Sequence, residues 1–333
     1  MRIAINGFGR IGRAVFRLLN SMPEVQVVAI NDLADPAALA YLLRHDTVMG
    51  PFQGVAEMEG DMMVTRSQRV KMTQVPDPKL LPWRELGIDY VVEATGRFRK
   101  RAEIAQHIEA GARKVLLTVP SKDEIDATIV LGVNNEDLKP EHQIVSNASC
   151  TTNCLAPLAY VLDKEFGIEY GLMTTVHAYT NDQRLADVPH SDWRRSRAAA
   201  ENTIPTTTGA ARAVGKVLPK LKGKLDGLAM RVPVPDGSVV DLVTIMSRDV
   251  TVAQVCEAVR AHAESARFRS ILRYAEEPLV SSDIVGDPHS SVFDAEYTSV
   301  IGGNMLKTLS WYDNEWGYSN RVVDLLKLME EIG

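Results

Sequence analysis

The side chain best placed for covalent chemistry is Cys150, in a Ser-Cys-Thr-Thr run. The run lies between a predicted strand at 143–147 and a helical pattern at 153–165. A thiol at a helix N-terminus has its thiolate stabilised by the helix dipole, which lowers its pKa. We therefore predict a nucleophile at Cys150. Cys154 and Cys256 fall within helical patterns and are predicted to be small buried side chains.

A nucleophilic thiol needs a base, and His177 is the best candidate among the seven histidines. It lies near the end of a predicted strand at 170–179, which enters a long polar loop. Paired with Cys150, it could take the thiol proton and then act as a general acid or base. A buried histidine satisfied by packing is the alternative. No further Cys or His stands at ligand spacing beside Cys150 and Cys154, so we predict no metal site.

A glycine-rich turn, Gly7-Phe8-Gly9-Arg10-Ile11-Gly12, follows a predicted strand at the N-terminus and opens a helix. Glycines at these places allow a tight turn, close approach of a pyrophosphate and close helix–strand packing. Asp32 ends the next strand about twenty residues later, where a carboxylate would accept hydrogen bonds from a ribose. The carboxylate would repel the extra phosphate of NADP, so the pattern predicts NAD binding.

Two further features are typical of anion sites. Residues 206–211, Thr-Thr-Thr-Gly-Ala-Ala, place hydroxyls and a glycine just before a helical pattern. A helix cap would need only one of these threonines. Arg231 lies inside an apolar strand pattern, where an arginine needs a partner such as a phosphate or a carboxylate. Arginines of the polar loop, among them Arg195, could do similar work or form a solvated surface.

The pattern of predicted strands and helices changes near residue 150, which indicates two domains. In the first half, short runs that are apolar on both faces alternate with helical patterns, which predicts a Rossmann-type doubly wound parallel sheet. The predicted strands and helix there include residues 89–94, 114–119, 128–133 and 100–110. After about residue 150, long strand patterns follow one another with few helices between them. This part is predicted to be α+β with a mostly antiparallel sheet.

Composition excludes several classes of protein. The 333 residues carry 37 Lys and Arg against 43 Asp and Glu, a net charge of −6, which argues against a nucleic-acid-binding protein. No run approaches the length of a membrane-spanning helix. The N-terminus lacks the apolar stretch of a secretory signal, and three cysteines cannot form a disulfide framework. We expect a cytoplasmic protein with no nucleic-acid or membrane partner.

Taken together, these motifs resemble the phosphorylating glyceraldehyde-3-phosphate dehydrogenases. The resemblance runs from the glycine turn at 7–12 to the segment Trp-Tyr-Asp-Asn-Glu-Trp-Gly-Tyr at 311–318. Its most specific stretch is Ser-Asn-Ala-Ser-Cys-Thr-Thr-Asn-Cys-Leu-Ala-Pro at 146–157. The resemblance implies an NAD-binding domain over 1–149, to which a helix at 316–333 returns, and a catalytic domain over 150–315.

The resemblance also implies a reaction and a set of site residues. D-glyceraldehyde 3-phosphate would be oxidised with NAD and inorganic phosphate to 1,3-bisphosphoglycerate, through a hemithioacetal and a thioester on Cys150 with His177 as the base. The implied cofactor contacts are Gly7, Gly9, Arg10, Ile11, Gly12, Asp32, Thr95, Gly96, Thr118 and Asn314. The attacking phosphate would be held by Ser149, Thr151, Thr208 and Gly209, and the substrate's own phosphate by Thr180, Arg195 and Arg231. The family is usually homotetrameric, which implies subunit contacts around the loop after Thr180.

Two alternatives stay open at this stage. Segments 81–87 and 287–290 look like those of the related erythrose-4-phosphate dehydrogenases. The intact runs at 206–211 and 179–183 favour the triose enzyme, because they would handle the phosphate chemistry directly. The other alternative is an NAD-binding regulatory protein without catalysis, against which stand the nucleophile, the base and both anion sites.

Overall fold

The computed structural model describes residues 1–333 and divides the chain into two compact units. The first comprises Met1–Ile129, Asn135–Ala148 and Ser319–Gly333, and the second Val130–Asn134 and Ser149–Tyr318. Each unit is built on its own sheet, of nine strands in the first and seven in the second. None of the helices combines the length and the apolarity that crossing a membrane would require.

The first unit alternates strands with short helices. Its strands are β1 (Arg2–Asn6), β2 (Gln26–Asn31), β3 (Glu57–Glu59), β4 (Met62–Val64), β5 (Arg69–Thr73), β6 (Tyr90–Glu93), β7 (Lys114–Leu117), β8 (Ala127–Thr128) and β9 (Ile144–Ser146). Its helices are α1 (Arg10–Leu19), α2 (Pro36–Arg44), α3 (Trp83–Leu86), α4 (Arg101–Ile104) and α5 (Gln106–Glu109). Single 3₁₀ turns form at Pro78–Leu80 and Asn135–Asp137.

The parallel part of this sheet runs in the order β5-β2-β1-β6-β7-β9-β8, with β3 and β4 added antiparallel at one edge. The central strands β1, β2, β6 and β7 are buried almost without interruption, as expected of strands covered on both faces. The strand order reverses between β1 and β6. In open α/β sheets the crevice for a ligand lies at the carboxyl ends of strands at such a point.

The second unit interleaves long strands with helices. Its strands are β10 (Ile168–Ala178), β11 (Ile204–Thr207), β12 (Leu225–Val232), β13 (Ser238–Met246), β14 (Leu272–Ala275), β15 (Ser291–Ile301) and β16 (Met305–Tyr312). Its helices are α6 (Cys150–Phe166), α7 (Ala210–Val217), α8 (Val252–Glu264) and α9 (Ser281–Ile284). The last helix, α10 (Trp316–Glu331), begins in this unit and continues into the segment Ser319–Gly333 of the first.

The second sheet has the order β11-β12-β10-β13-β16-β15-β14, with four antiparallel and two parallel pairs. Side chains of β13 alternate strictly between buried and half-buried, the pattern of a sheet with one packed face. Helices α6 and α8 cover that packed face. The opposite face exposes apolar side chains such as Leu172 and Leu228. The predicted fold class is confirmed in both units.

Two predicted elements differ from the structure. The strand expected at 128–133 ends after Thr128, because Gly132 has φ = +84° and the amide of Val133 turns back to the carbonyl of Val130. The helix expected at 100–110 is divided into α4 and α5, which meet at Ala105. Strands β3 and β4, each of three residues, were too short to be predicted from periodicity.

Candidate functional site

Cys150 is the first residue of α6, as the position of the thiol in the sequence predicts. Ser149 caps the helix, since its Oγ accepts from the amide of Thr152 at 3.1 Å. The Cys150 Sγ lies 3.6 Å from His177 Nε2 and 4.0 Å from Thr151 Oγ1. The structure therefore brings the predicted nucleophile and the predicted base into direct contact within the second unit.

His177 lies near the end of β10, beside Arg231 on the parallel strand β12. Its Nδ1 is 2.6 Å from Arg231 Nη1 and 2.7 Å from the carbonyl oxygen of Ala178. Donation to that carbonyl needs the imidazole proton on Nδ1, whereas acceptance from the guanidinium needs it on Nε2. Arg231 thus competes with Ala178 for the tautomer of His177, and through it decides whether Nε2 presents a lone pair or a proton to Sγ.

Burial dominates the protonation of these groups. It raises the pKa of the Cys150 thiol, against the lowering by Arg231 and by hydrogen bonds to Thr151. It also lowers the pKa of His177, with further lowering by Arg231, to about 3. The low thiol pKa expected from the helix N-terminus is therefore not present in this arrangement, because loss of solvation outweighs the nearby positive charge.

Thr206 and Thr207 end β11, and Thr208 leads to α7 through Gly209, the N-terminal cap residue of that helix. The Oγ1 of Thr208 accepts from the amide of Ala210 at 3.2 Å. The carbonyl of Ala210 in turn accepts from Thr152 Oγ1, on the first turn of α6, at 3.3 Å. The first turns of α6 and α7 are therefore joined by a hydrogen bond, and each helix N-terminus carries partial positive charge.

The remaining predicted residues of this unit lie on the loop after β10 and at the end of β16. The Thr180 amide donates to Gln183 Oε1 at 3.2 Å. Arg195 forms ion pairs with Asp182 and with Asp192. Asn314 is held through Ser238, whose Oγ donates to the Asn314 Oδ1 at 2.5 Å. The same Ser238 Oγ accepts from the amide of Ala178, next to His177, so Asn314 is tied to the end of the strand that carries His177.

A cleft of about 300 Å³ lies in the first unit at the carboxyl ends of the parallel strands. Four of the predicted cofactor residues line it: Gly7, Gly9, Asp32 and Thr95. Each oxygen of the Asp32 carboxylate accepts one backbone amide, Oδ2 from Phe8 at 2.7 Å and Oδ1 from Ala34 at 3.0 Å. The carboxylate is thereby fixed at the cleft, with lone pairs left to accept from a ribose.

The glycines of the turn meet the steric demands of a dinucleotide site. A Cβ on Gly7, whose φ is +93°, would stand 2.6 Å from the amide nitrogen of Thr95, and one on Gly12 would overlap the carbonyl oxygen of Gly7. A Cβ on Gly9 would meet no atom within 4 Å, so the backbone there faces open space. This is the arrangement in which backbone can approach a pyrophosphate, and the residues present fit NAD.

Other predicted cofactor residues surround the cleft without lining it. Arg10, Ile11 and Gly12 form the start of α1, and Arg10 Nη1 pairs with Asp46 at 2.5 Å. Gly96 follows Thr95 with φ = +66°. The Thr118 hydroxyl is buried and donates to the carbonyl of Glu93 at 3.0 Å.

Tyr312, the last residue of β16, is a site residue that no sequence motif predicts. Its hydroxyl is within hydrogen-bond distance of Thr151 Oγ1, at 2.8 Å, and of Thr175 Oγ1, at 2.9 Å. Its ring meets the imidazole of His177 edge to face, with centroids 5.9 Å apart. Tyr312 thus contacts both Thr151, the neighbour of Cys150, and His177. A polar aromatic at the end of an alternating strand was the only signal available.

Comparison with known proteins agrees with this geometry. Residues 149–314 match the family model described as glyceraldehyde 3-phosphate dehydrogenase, C-terminal domain, and residues 1–101 match that of its NAD binding domain. A glyceraldehyde-3-phosphate dehydrogenase of Geobacillus stearothermophilus is 55% identical over 326 residues, covering 98% of this chain and 97% of the relative. That of Streptomyces coelicolor is 54% identical over 327 residues, with the same coverage. Glyceraldehyde-3-phosphate dehydrogenase 1 of Bacillus subtilis is 52% identical over 334 residues, covering 100% and 99%.

The resemblance inferred from the motifs is thereby confirmed over nearly the whole chain, and with it the expectation of NAD as cofactor. The chain belongs to the glyceraldehyde-3-phosphate dehydrogenase family, and it is an NAD-dependent oxidoreductase that acts on an aldehyde group.

Proposed function

We propose that Cys150 is the nucleophile and His177 the base of the oxidative phosphorylation of D-glyceraldehyde 3-phosphate. The observation that carries this assignment is the 3.6 Å contact between Sγ and Nε2 at the N-terminus of α6. Neither group readily takes a charge alone when buried, but transfer of the thiol proton to Nε2 charges both without changing the net charge of the site.

In the first half of the reaction, the Cys150 sulfur bonds to the aldehyde carbon, and the carbonyl oxygen becomes the hydroxyl of a hemithioacetal. His177 then takes the hydroxyl proton at Nε2 while the carbon loses a hydride and becomes a thioester. NAD, when bound, supplies the acceptor for that hydride. The tautomer that fits this role has the imidazole proton on Nδ1, donated to the carbonyl of Ala178, so that the Nε2 lone pair faces the reacting atoms.

In the second half, an oxygen of inorganic phosphate attacks the thioester carbon, the carbon–sulfur bond breaks, and the acyl phosphate leaves with the thiolate restored. We assign the attacking phosphate to Ser149, Thr151, Thr208 and Gly209. What supports this is the hydrogen bond between Thr152 and Ala210, which joins the first turns of the two helices. Hydroxyls and free amides at such termini are suited to anions.

We assign the substrate's own phosphate to Thr180, Arg195 and Arg231. Arg231 is close to Cys150, and its Nη1 contacts Nδ1 of His177 and the carbonyl of Ala178. A phosphate that drew Arg231 towards itself would release Nδ1 of His177 to donate to Ala178. Binding of the substrate would then set the tautomer that the chemistry needs.

For the cofactor, we propose contacts from Gly7, Gly9, Arg10, Ile11, Gly12, Asp32, Thr95, Gly96, Thr118 and Asn314. The lining of the cleft by four of them and the open space at Gly9 support this set. We likewise propose that residues 1–149, with a helix at 316–333, are the NAD-binding domain and 150–315 the catalytic domain. The division into two compact units falls within four residues of these bounds, apart from the short segment Val130–Asn134.

We further propose a cytoplasmic homotetramer. The exposed face of the second sheet carries Leu172, 68% exposed, and Leu228, 43% exposed. On the loop after Thr180, Leu185 and Trp193 are exposed by 86% and 87%. Apolar surface gathered on a sheet face and a loop is typical of contacts between subunits. A second copy of this chain is the occupant that we propose for both.

The assignment of the nucleophile is tested by Cys150→Ser with Cys154→Ser as its matched control. Cys154 is buried in the same helix and contacts Ser291 Oγ and the carbonyl of Ser310, away from the base. With glyceraldehyde 3-phosphate, NAD and phosphate, we expect the first variant to form no NADH above background and the second to stay near the wild-type rate. Undiminished turnover by Cys150→Ser would refute the assignment.

A further inference from the structure

The first unit contains a buried hydrogen-bond network that the proposed chemistry does not use. It joins the indole of Trp83, His107, the carboxylate of Glu93 and the amides of Asn6 and Asn31. Glu93, His107 and Trp83 have no exposed surface, and Asn6 and Asn31 are 1% and 5% exposed. Asn6 pairs with both Glu93 and Asn31 in the strand register, so the network lies where the strand order reverses.

The direction of every hydrogen bond at one end of the network is set by Trp83. An indole N–H can only donate, and Trp83 Nε1 lies 3.0 Å from His107 Nδ1. Nδ1 must therefore be a lone pair, which places the imidazole proton on Nε2. That Nε2 is 3.0 Å from Glu93 Oε2, to which it donates.

The other end is set by the backbone of Val75. Asn31 Oδ1 accepts from the Val75 amide at 2.9 Å, which fixes the orientation of the Asn31 side chain. Its Nδ2 donates to the Val75 carbonyl at 2.9 Å and to Asn6 Oδ1 at 2.8 Å. Asn6 Nδ2 consequently points to Glu93 Oε2 and donates to it at 2.6 Å.

The hydrogen bonds that start from Trp83 and those that start from Val75 both end at Glu93. Its Oε2 accepts from His107 and Asn6, and its Oε1 accepts from the amide of Thr95, at 2.9 Å, and from the Thr95 hydroxyl. Only a group that accepts with both oxygens can satisfy four donors in this arrangement. Asn6, Asn31, Val75 and Thr95 all line the cleft assigned to NAD.

We propose that Glu93 is a positioning residue for the NAD site: it fixes the amide of Asn6 and the position of Thr95 at the cleft. Each hydrogen bond of its network has only one possible direction, which Trp83 sets at one end and Val75 at the other. The inference rests on the proposed cofactor site, because its effect is on NAD binding. It assigns Glu93 no contact with NAD and no part in the chemical step.

Glu93→Gln tests this, because the change is nearly isosteric and replaces one acceptor with a donor. With its oxygen towards Thr95, the new amide would direct N–H groups at Asn6 Nδ2 and His107 Nε2. Turning the amide of Asn6 would require Asn31 to turn as well and to lose the Val75 amide. Turning His107 would leave the indole N–H of Trp83 without an acceptor. No side chain of the network can turn to accept from the new amide without breaking another hydrogen bond.

We expect NAD to bind Glu93→Gln at least about tenfold more weakly in a calorimetric titration. The KM for NAD should rise in proportion, and kcat at saturating NAD should stay within about twofold of the wild type. Trp83→Phe alone should lose less affinity for NAD than Glu93→Gln, because the Glu93 carboxylate still accepts from Asn6 and from Nε2 of His107. Combined with Glu93→Gln it should recover part of the lost affinity, because His107 is then free to move its proton to Nδ1 and accept from Gln at 93.

A folded Glu93→Gln protein with wild-type NAD affinity, or one that loses thermal stability alone, would overturn the proposal. If Glu93→Gln does not fold, His107→Gln and His107→Leu carry the same test. The first keeps a donor and an acceptor and should retain affinity, whereas the second keeps neither and should lose it, and equal affinities would overturn the proposal. Binding of NAD to the wild type in the same titration tests the cofactor site by itself, so failure of that site is distinguishable from failure of this role.

Discussion

At the scale of single residues, this protein places ionisable groups where contact with water is reduced. Cys150, His177 and Arg231 are packed together. Burial raises the pKa of the Cys150 thiol and lowers the pKa of His177 and Arg231, so it favours the neutral form of each group. Such an arrangement is unfavourable for an isolated charge but permits a proton to pass between Sγ and Nε2. The reactivity of Cys150 would then depend on the binding of the substrate phosphate to Arg231.

Asp236 is another buried ionisable group, and its shifted pKa should be measurable through the free energy of unfolding. It lies beside Asp313, and both carboxyls are nearly fully buried. Burial, followed by the charge of Asp313, raises the pKa of Asp236 to about 9. The folded protein therefore keeps this proton at neutral pH, whereas the unfolded chain releases it near the ordinary Asp pKa of about 3.9. The contribution of Asp236 to stability is present below that value and is lost as pH rises towards 9.

Asp236→Asn should accordingly flatten the dependence of stability on pH. At pH 4, close to the unfolded-state pKa, little of this contribution is lost and the protonated carboxyl is nearly equivalent to the amide, so the two proteins should unfold at similar denaturant concentrations. At pH 8 the variant should be the more stable, because it has no proton to lose. Denaturant unfolding at both pH values and fixed protein concentration measures the difference. Parallel pH profiles for the two proteins would contradict the buried acid pair.

At the scale of elements, the turn between β1 and α1 separates folding from binding. Gly12→Ala would force a methyl group into the carbonyl of Gly7, and overpacking of this kind costs about 1–3 kcal/mol. Gly9→Ala would place its methyl group in open space, so the fold should be unaffected while close approach of the pyrophosphate is blocked. We expect a lowered unfolding temperature for the first variant. For the second we expect normal unfolding with weakened NAD binding, and the reverse result would be inconsistent with this geometry.

The elements also explain how far the sequence could be interpreted. The glycine turn and the thiol at the start of α6 were predictable because each depends on residues that follow one another along the chain. The contact of Arg231 with His177 was not, because it joins positions 54 residues apart through the register of β10 and β12. Tyr312 reaches Thr151 across 161 residues. Hydrophobic periodicity indicates which side chains of a strand face the core, but it does not indicate which distant strand lies beside it.

At the scale of the whole molecule, the exposed apolar face of the second sheet needs an explanation. Leu172 and Leu228 lie on β10 and β12, which pair directly, and each is directed to solvent in the single chain. Asp241, opposite Thr174 in the register, lies on the same face and forms an ion pair with Lys307, with Nζ and Oδ2 2.8 Å apart. The apolar part of this face buries favourably against a second copy.

The double variant Leu172→Lys, Leu228→Lys should therefore dissociate into smaller species, because assembly would bury two ammonium groups without partners. Sedimentation velocity over a range of protein concentrations measures this, with circular dichroism to establish that each chain remains folded. Glu124→Lys, a charge change at an exposed position of the first unit, is the control and should sediment as the wild type. If the double variant assembles as tightly as the wild type, this face is not a subunit contact, and the proposed tetramer must be built through other surfaces.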